Sequence, residues 1–264
     1  DAVLYNLDIN NDFVKPGSAL LLNFGYSKKG FGMDVNFRRT ENMSFYSERK
    51  PDVYPELDAT SINYNDNILN FVPALTKQHH YNLANIYVHQ AQSRIDYLDP
   101  TIMKAGETGG QIDVFYNFAK DTKLGGKYGT KVAVNYSSWY NLPGEYKYNP
   151  SEYDTEFFGV GQKYFSDFNI EVTKKINKNL HGSIIYVNQY YDKSLLVGGD
   201  LVKTNIAAAE VTYKLNSSKS IRFEAEHMWA DADLKNWAGS TLEFNYNPKL
   251  SFYVSDIYNY GNDH

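Results

Sequence analysis

Apolar and polar residues take turns along this chain with a period of two. In 31–38, Phe31, Met33, Val35 and Phe37 alternate with Gly32, Asp34, Asn36 and Arg38. In 131–137, Val132, Val134 and Tyr136 oppose Lys131, Asn135 and Ser137, and in 111–118 Ile112, Val114 and Tyr116 oppose Gln111, Asp113 and Asn117. Further on, Ile221, Phe223 and Ala225 oppose Arg222, Glu224 and Glu226, and Leu242, Phe244 and Tyr246 oppose Thr241, Glu243 and Asn245. Successive side chains of an extended strand point to opposite faces, so this pattern predicts strands with one apolar and one polar face. Helical spacing is nearest at 206–210, and there Val211, Tyr213 and Leu215 carry the alternation onward.

Turn residues divide the strands. Asn, Gly, Ser, Asp and Pro cluster at 27–30, 73–78, 120–126, 177–179, 216–219 and 247–249, where their dihedral and hydrogen-bonding preferences favour tight reversals. Longer connections fall at about 49–61, 91–107, 140–156, 191–202 and 229–237. The strands between them are expected at 3–9, 18–26, 31–46, 62–71, 79–90, 109–119, 127–139, 157–175, 179–190, 203–215, 220–229, 238–246 and 250–259. Short turns at one end and long loops at the other are the layout of outer-membrane barrels.

Composition decides which solvent the apolar face meets. Aromatics make up 16% of the chain, with 24 Tyr and 15 Phe against 3 Trp. No apolar run approaches the roughly 20 residues of a membrane-spanning helix. A transmembrane β-barrel survives that exclusion, because it alternates and is polar overall, with aromatic girdles. The expected fold is therefore all-β, an antiparallel transmembrane β-barrel of about 12–14 strands. That makes thirteen strands, whereas single-chain bacterial barrels have an even number. Residues 1–264 are accordingly expected to form one barrel domain that is incomplete, a piece of a larger barrel.

The absence of cysteine excludes disulfides, thiol nucleophiles and thiolate-bound metal. A net charge of −5, spread along the chain, does not match a nucleic-acid binder.

Three stretches carry a resemblance. They are Leu20 to Asn42 (LLLNFGYSKKGFGMDVNFRRTEN), Asn70 to Leu83 with its Val72-Pro73-Ala74-Leu75-Thr76-Lys77-Gln78-His79 run, and Gly109 to Trp139 with Leu124-Gly125-Gly126-Lys127-Tyr128-Gly129-Thr130. They resemble an uncharacterised family of Bacteroidota outer-membrane β-barrel proteins, strongly in the first half of the chain and in style in the second. The resemblance implies an outer-membrane address and a large antiparallel barrel. It brings no activity and no catalytic residues.

Several residue groups were weighed for chemistry. Asp8, Asn10 and Asp12 stand like the start of a calcium loop but lack its Gly and distal Glu, so a polar strand end is the plainer reading. Adjacent His79 and His80 point to opposite faces of a strand and cannot chelate one metal there; with His89 they read as turn-flanking polar residues. His181 and Ser183 share a face, but i, i+2 neighbours rarely reach nucleophile–base distance, and no Gly-x-Ser-x-Gly elbow exists. Glu224 and Glu226 stand about 7 Å apart on one face, a spacing open to a glycosidase pair. Charged ladders of this kind more often line a barrel. Arg38, Asp113, Lys131, Glu210, Arg222, Glu224, Glu226 and Glu243 are therefore the expected lumen-lining residues. Trp139, Tyr140, Tyr146, Tyr148 and Tyr153, in and beside the 140–156 loop, are the expected contacts to the membrane interface, a partner or a sugar.

These readings converge on a non-enzymatic outer-membrane barrel without cofactor or metal. It would be a passive channel or a subunit of a larger outer-membrane complex. Its partners would be outer-membrane lipid and, as a subunit, other outer-membrane proteins. The alternatives are a soluble or surface glycan-binding β protein, and an outer-membrane hydrolase working through Glu224 and Glu226 or through Ser183 and His181.

Overall fold

A computed structural model describes residues 3–8, 11–41, 75–92, 96–99, 102–148, 151–196 and 198–262. The strands in chain order are β1 (Val3–Asp8), β2 (Asn11–Pro16), β3 (Ser18–Lys28), β4 (Phe31–Glu41), β5 (Asp96–Asp99), β6 (Ile102–Lys104), β7 (Gly106–Phe118), β8 (Thr130–Asn141), β9 (Gly144–Tyr148), β10 (Ser151–Thr155), β11 (Lys163–Lys175), β12 (Leu180–Asp192), β13 (Leu201–Lys214), β14 (Ser220–Ala230), β15 (Trp237–Asn247) and β16 (Leu250–Asn259). Ten of them form one antiparallel sheet in the order β16-β15-β14-β13-β12-β11-β8-β7-β4-β3. The pairs β1–β2, β5–β6 and β9–β10 are separate hairpins. The sheet is open: β3 and β16 are its two edges and are not bonded to each other.

The described strands differ from the expected set: β2 was not expected, the connections expected at 91–107 and 140–156 contain the hairpins β5–β6 and β9–β10, and the strand expected over 157–175 begins at Lys163. The segment expected as a strand over 79–90 is irregular, with one 3-10 turn at Leu83–Asn85. Against thirteen expected strands the described residues hold sixteen, ten in the main sheet and six in three hairpins, and the main sheet is not closed. β8 runs on to Asn141, where it pairs with Glu107, so Trp139 belongs to the sheet and not to the edge of a loop. The strand expected at 62–71, the connection at 49–61 and the first residues of the Pro73 turn lie outside the described residues. The two kinds of connection do segregate. Tight reversals join β3 to β4, β11 to β12, β13 to β14 and β15 to β16 at one end, with the 119–129 turn beside them.

Register turns the alternation into two unlike faces. One face carries Phe24, Val35, Ile112, Tyr136 and Phe168 in a single cross-strand row. Val211, Phe223, Leu242 and Val254 form another such row. Most of these side chains are open to solvent, Phe223 by 50% and Val254 by 65%. The opposite face carries Ser183, Glu210, Glu224, Thr241 and Ser255 in one row. Asp113, Asn135, Asn169, Val187, Ile206 and Met228 form a second.

The core lies on this second face. Residues 75–92 cross it as a strap, and Tyr81, Leu83, Ala84 and Tyr87 pack with Ile185, Val187, Ile206, Ala208 and Met228 of the strands beneath. A second row, Trp139, Phe165, Tyr191 and Val202, extends the core toward the long-loop end.

Close approach of strands fixes several glycines, Gly109 among them. Gly109 sits between Arg38 and Trp139 in register. A Cβ there would collide with the Ser138 backbone carbonyl oxygen and come within 2.7 Å of the Trp139 ring. Neither can yield without moving the ladder, so Gly109→Ala is expected to destabilise by about 1–3 kcal/mol. At Gly239 the nearest atom to an added Cβ is at 3.6 Å, and Gly239→Ala should be close to neutral. Urea midpoints read by tryptophan fluorescence check the pair, and equal losses would contradict this packing.

Candidate functional site: the strap on the charged face

Charge taken out of water needs a counter-charge or several hydrogen bonds. On the covered face each of these is present. Arg222 stands at the centre of three carboxylates. Its Nη1 donates to Glu210 at 2.8 Å and to Glu224 at 2.9 Å, and its Nε donates to Glu243 at 3.0 Å. These residues come from three neighbouring strands in direct register, which brings acids at 210, 224 and 243 around one guanidinium. His80 of the strap lies beside them. Single ligand atoms of His80, Glu210 and Glu224 lie within 4.8 Å of one another. That geometry suits a cation, and Arg222 already spans both of its carboxylates.

Glu226 has a different partner. Its carboxylate accepts the backbone N–H groups of Asn82 at 3.2 Å and Leu83 at 2.8 Å. These donors open the 3-10 turn at Leu83–Asn85 and have no partner inside it. A wall carboxylate thus satisfies strap backbone. Gln189 does the reverse, donating to the Ala84 carbonyl at 3.1 Å and to Asp167 at 3.0 Å.

Both histidines flanking the strap are buried against acids. His79 Nε2 bonds the Asp167 carboxylate at 3.0 Å, and Asn169 donates to the other oxygen of that carboxylate at 2.8 Å. His89 Nε2 lies 3.2 Å from Glu107, with its ring stacked on Trp139 at 4.6 Å between centroids. Glu107 is fully buried and also receives Arg38, the Tyr164 hydroxyl and the backbone N–H of Gln92. The Arg38 guanidinium lies 4.7 Å from the centre of the Trp139 ring. The sequence reading placed these histidines beside a turn. Their partners lie at |i−j| of 88 and 18, and no local spacing signals such pairs.

The strap is tied down at its far end by the loop 231–236. Tyr87 donates to Asp233 at 2.9 Å, and Lys193 reaches the same carboxylate at 2.8 Å. Burial, reinforced by the Asp233 carboxylate, pushes the Tyr87 phenol up. The Lys193 ammonium, with the Tyr87 hydroxyl, holds the Asp233 carboxyl below the usual range.

All eight residues expected to line a lumen share the covered face. Arg38 follows Asp34 by four, and Asp34 pairs with Asp113. Lys131 lies over the Phe115 ring at 5.2 Å, and Asp113 accepts from Asn135 at 3.1 Å. Glu210, Arg222, Glu224, Glu226 and Glu243 make the contacts given above. The expected loop contacts separate. Trp139 is fully buried, so it faces Arg38 and His89 instead of a partner, while Tyr140 points to the other face and is half-buried. Tyr146 and Tyr148 lie on β9 and Tyr153 on β10, with Tyr146 opposite Tyr153. Ser183 shares a hydrogen bond with the Tyr81 hydroxyl at 3.0 Å. Asp8 and Asp12 sit on the β1–β2 hairpin, opposite Asn11 and Leu7, and Asn10 lies outside the described residues.

Two expectations follow. Arg38→Ala leaves Glu107 buried without its guanidinium and should cost about 3–5 kcal/mol, whereas Arg38→Met with Glu107→Leu should cost much less. Denaturant titration of the three variants checks this, and equal losses would contradict it. Because the Asp233 carboxyl is lowered in the folded state, its contribution is whole above the ordinary carboxyl pKa near 4 and fades as pH falls below it. The stability gap between wild type and Asp233→Asn should therefore shrink between about pH 5 and pH 2, and more so in low salt, where the Lys193 pair is least screened. A gap that stays constant with pH would contradict the ion pair.

No curated protein and no solved structure matches the chain. One family profile, described as a family of unknown function (DUF6029), matches residues 4–264, in keeping with the resemblance to an uncharacterised family. The match spans both the sheet and the strap, and the chain belongs to the DUF6029 family.

Proposed function

We propose that this protein is a non-enzymatic wall element of an outer-membrane β-barrel, acting as a passive channel or as a subunit of a larger outer-membrane complex. One observation carries the reading. One face of the ten-stranded sheet is a solvent-open apolar belt running from Phe24 on β3 to Val254 on β16, and the charged groups lie on the other face, its middle covered by the strap. A water-soluble sandwich has the opposite polarity, because it buries its apolar face. The largest apolar patch on a soluble monomer is typically about 300–600 Å², and a belt ten strands wide calls for a different solvent. The strands suit lipid in length as well. They run from 10 residues in β16 to 14 in β13, and a tilted membrane strand needs about 9–11.

Under this reading the partner of the belt is outer-membrane lipid, and the covered face is the lumen side. The charges there would set ion preference and hold structure. Ser183 is engaged by Tyr81, and Glu224 and Glu226 are engaged by Arg222 and strap backbone, which favours structural over hydrolytic roles.

Cell fractionation with heat-modifiable gel migration tests the proposal. Recovery in the outer membrane, with a folded band that shifts on boiling, is expected. A monodisperse protein that stays soluble without detergent would overturn it and would favour the glycan-binding alternative. A substitution in the belt reads the solvent directly. Phe223→Arg should cost about 2–4 kcal/mol if the side chain faces the bilayer interior, and close to nothing if it faces water.

A further inference from the structure

We propose that residues 75–92 are a resident plug, a strap that keeps the lumen side of the wall shut in the resting protein. The proposal rests on the membrane reading above and deepens it by naming what regulates passage.

The route of the strap is the first argument. Lys77 bonds Asn169 at 3.2 Å and Glu171 at 3.3 Å on β11, Tyr81 meets Ser183 on β12, and Leu83 meets Glu226 on β14. The strap thus crosses from the middle of the sheet over its neighbours. It leaves through Tyr87, held by the loop 231–236, and returns through His89 to Glu107 on β7. It lies across the strands, as an obstruction does, and not along them.

Burial is the second. Tyr81 and Leu83 have no exposed surface and Ala84 has 1%, so no water-filled layer separates strap from wall there. The third is backbone chemistry. Irregular backbone at membrane depth persists only where protein or a water-filled cavity satisfies it. Here wall side chains do so, with Glu226 accepting two strap N–H groups and Gln189 donating to a strap carbonyl. No strand pairing joins strap to sheet, so opening would break these side-chain hydrogen bonds and the apolar contacts of Tyr81, Leu83 and Ala84 but no ladder of the wall.

The test uses the full chain in two ways. Planar-bilayer recording should show wild type closed or nearly so, and Glu226→Ala combined with Tyr87→Phe should raise mean conductance at least tenfold. Because the chain has no cysteine, a single introduced thiol reports one place. In folded, heat-modifiable protein, Ala84→Cys should react with a charged maleimide at least tenfold more slowly than Ser218→Cys on the exposed 216–219 turn. Wild type conducting as freely as the anchor variant would overturn the plug, as would equal labelling of the two thiols. Should the anchor variant fail to fold, the wild-type conductance and the two single-thiol proteins still decide. Absence of any outer-membrane, heat-modifiable form would instead overturn the membrane reading on which the plug rests.

Discussion

A charge removed from water must be met by an opposite charge or by several hydrogen bonds, and this sheet is organised around that requirement. Its polar face is covered in the middle, where Glu107 collects Arg38, His89, Tyr164 and a backbone N–H and Asp167 collects His79, Asn169 and Gln189, while the partly open Arg222 collects three carboxylates beside it. Each cluster draws on more than one strand or on the strap. The clusters therefore fix register across the sheet as well as holding charge. A slip of one residue would reverse every side chain and strand these groups on the apolar face.

The strap and the wall are complementary in a way that neither would be alone. Tyr81, Leu83 and Ala84 supply the apolar contacts that Ile185, Val187, Ile206 and Met228 require. The same segment supplies the histidines that meet Asp167 and Glu107. Apolar packing gives this core its area, and the hydrogen bonds give the strap one place to sit. No described segment of the chain covers the open face, and its Phe, Val, Ile and Tyr stay open to solvent.

Much of the sheet was legible in the sequence. Strands β14 and β15 alternate cleanly, and the register places Arg222, Glu224 and Glu226 on one face and Phe223 and Ile221 on the other. The strap was not legible as a strap. Tyr81 and Leu83, and again Tyr87 and His89, recur at a spacing of two and imitate a strand. Their burial comes instead from lying on a sheet whose strands begin dozens of residues later. Trp139 was misplaced for a similar reason. The local run of Ser137, Ser138 and Trp139 looks like a strand ending in a loop, but pairing of Asn141 with Glu107 carries the ladder onward. In both cases the deciding partner is remote in sequence, and periodicity carries no information about it.

The hydrogen bond between Leu83 and Glu226 also sets an order of events. The two residues are separated by |i−j| of 143. The sheet itself grows almost wholly by adding each strand to the one before, a route of short loop closures, whereas the strap can dock only once β14 has emerged and joined. Its contacts to β8, β11 and β12, through His89, His79 and Tyr81, involve strands that precede β14 in the chain. Docking of the strap therefore depends on contacts far more distant in sequence than those that pair neighbouring strands, the kind that costs most in loop closure.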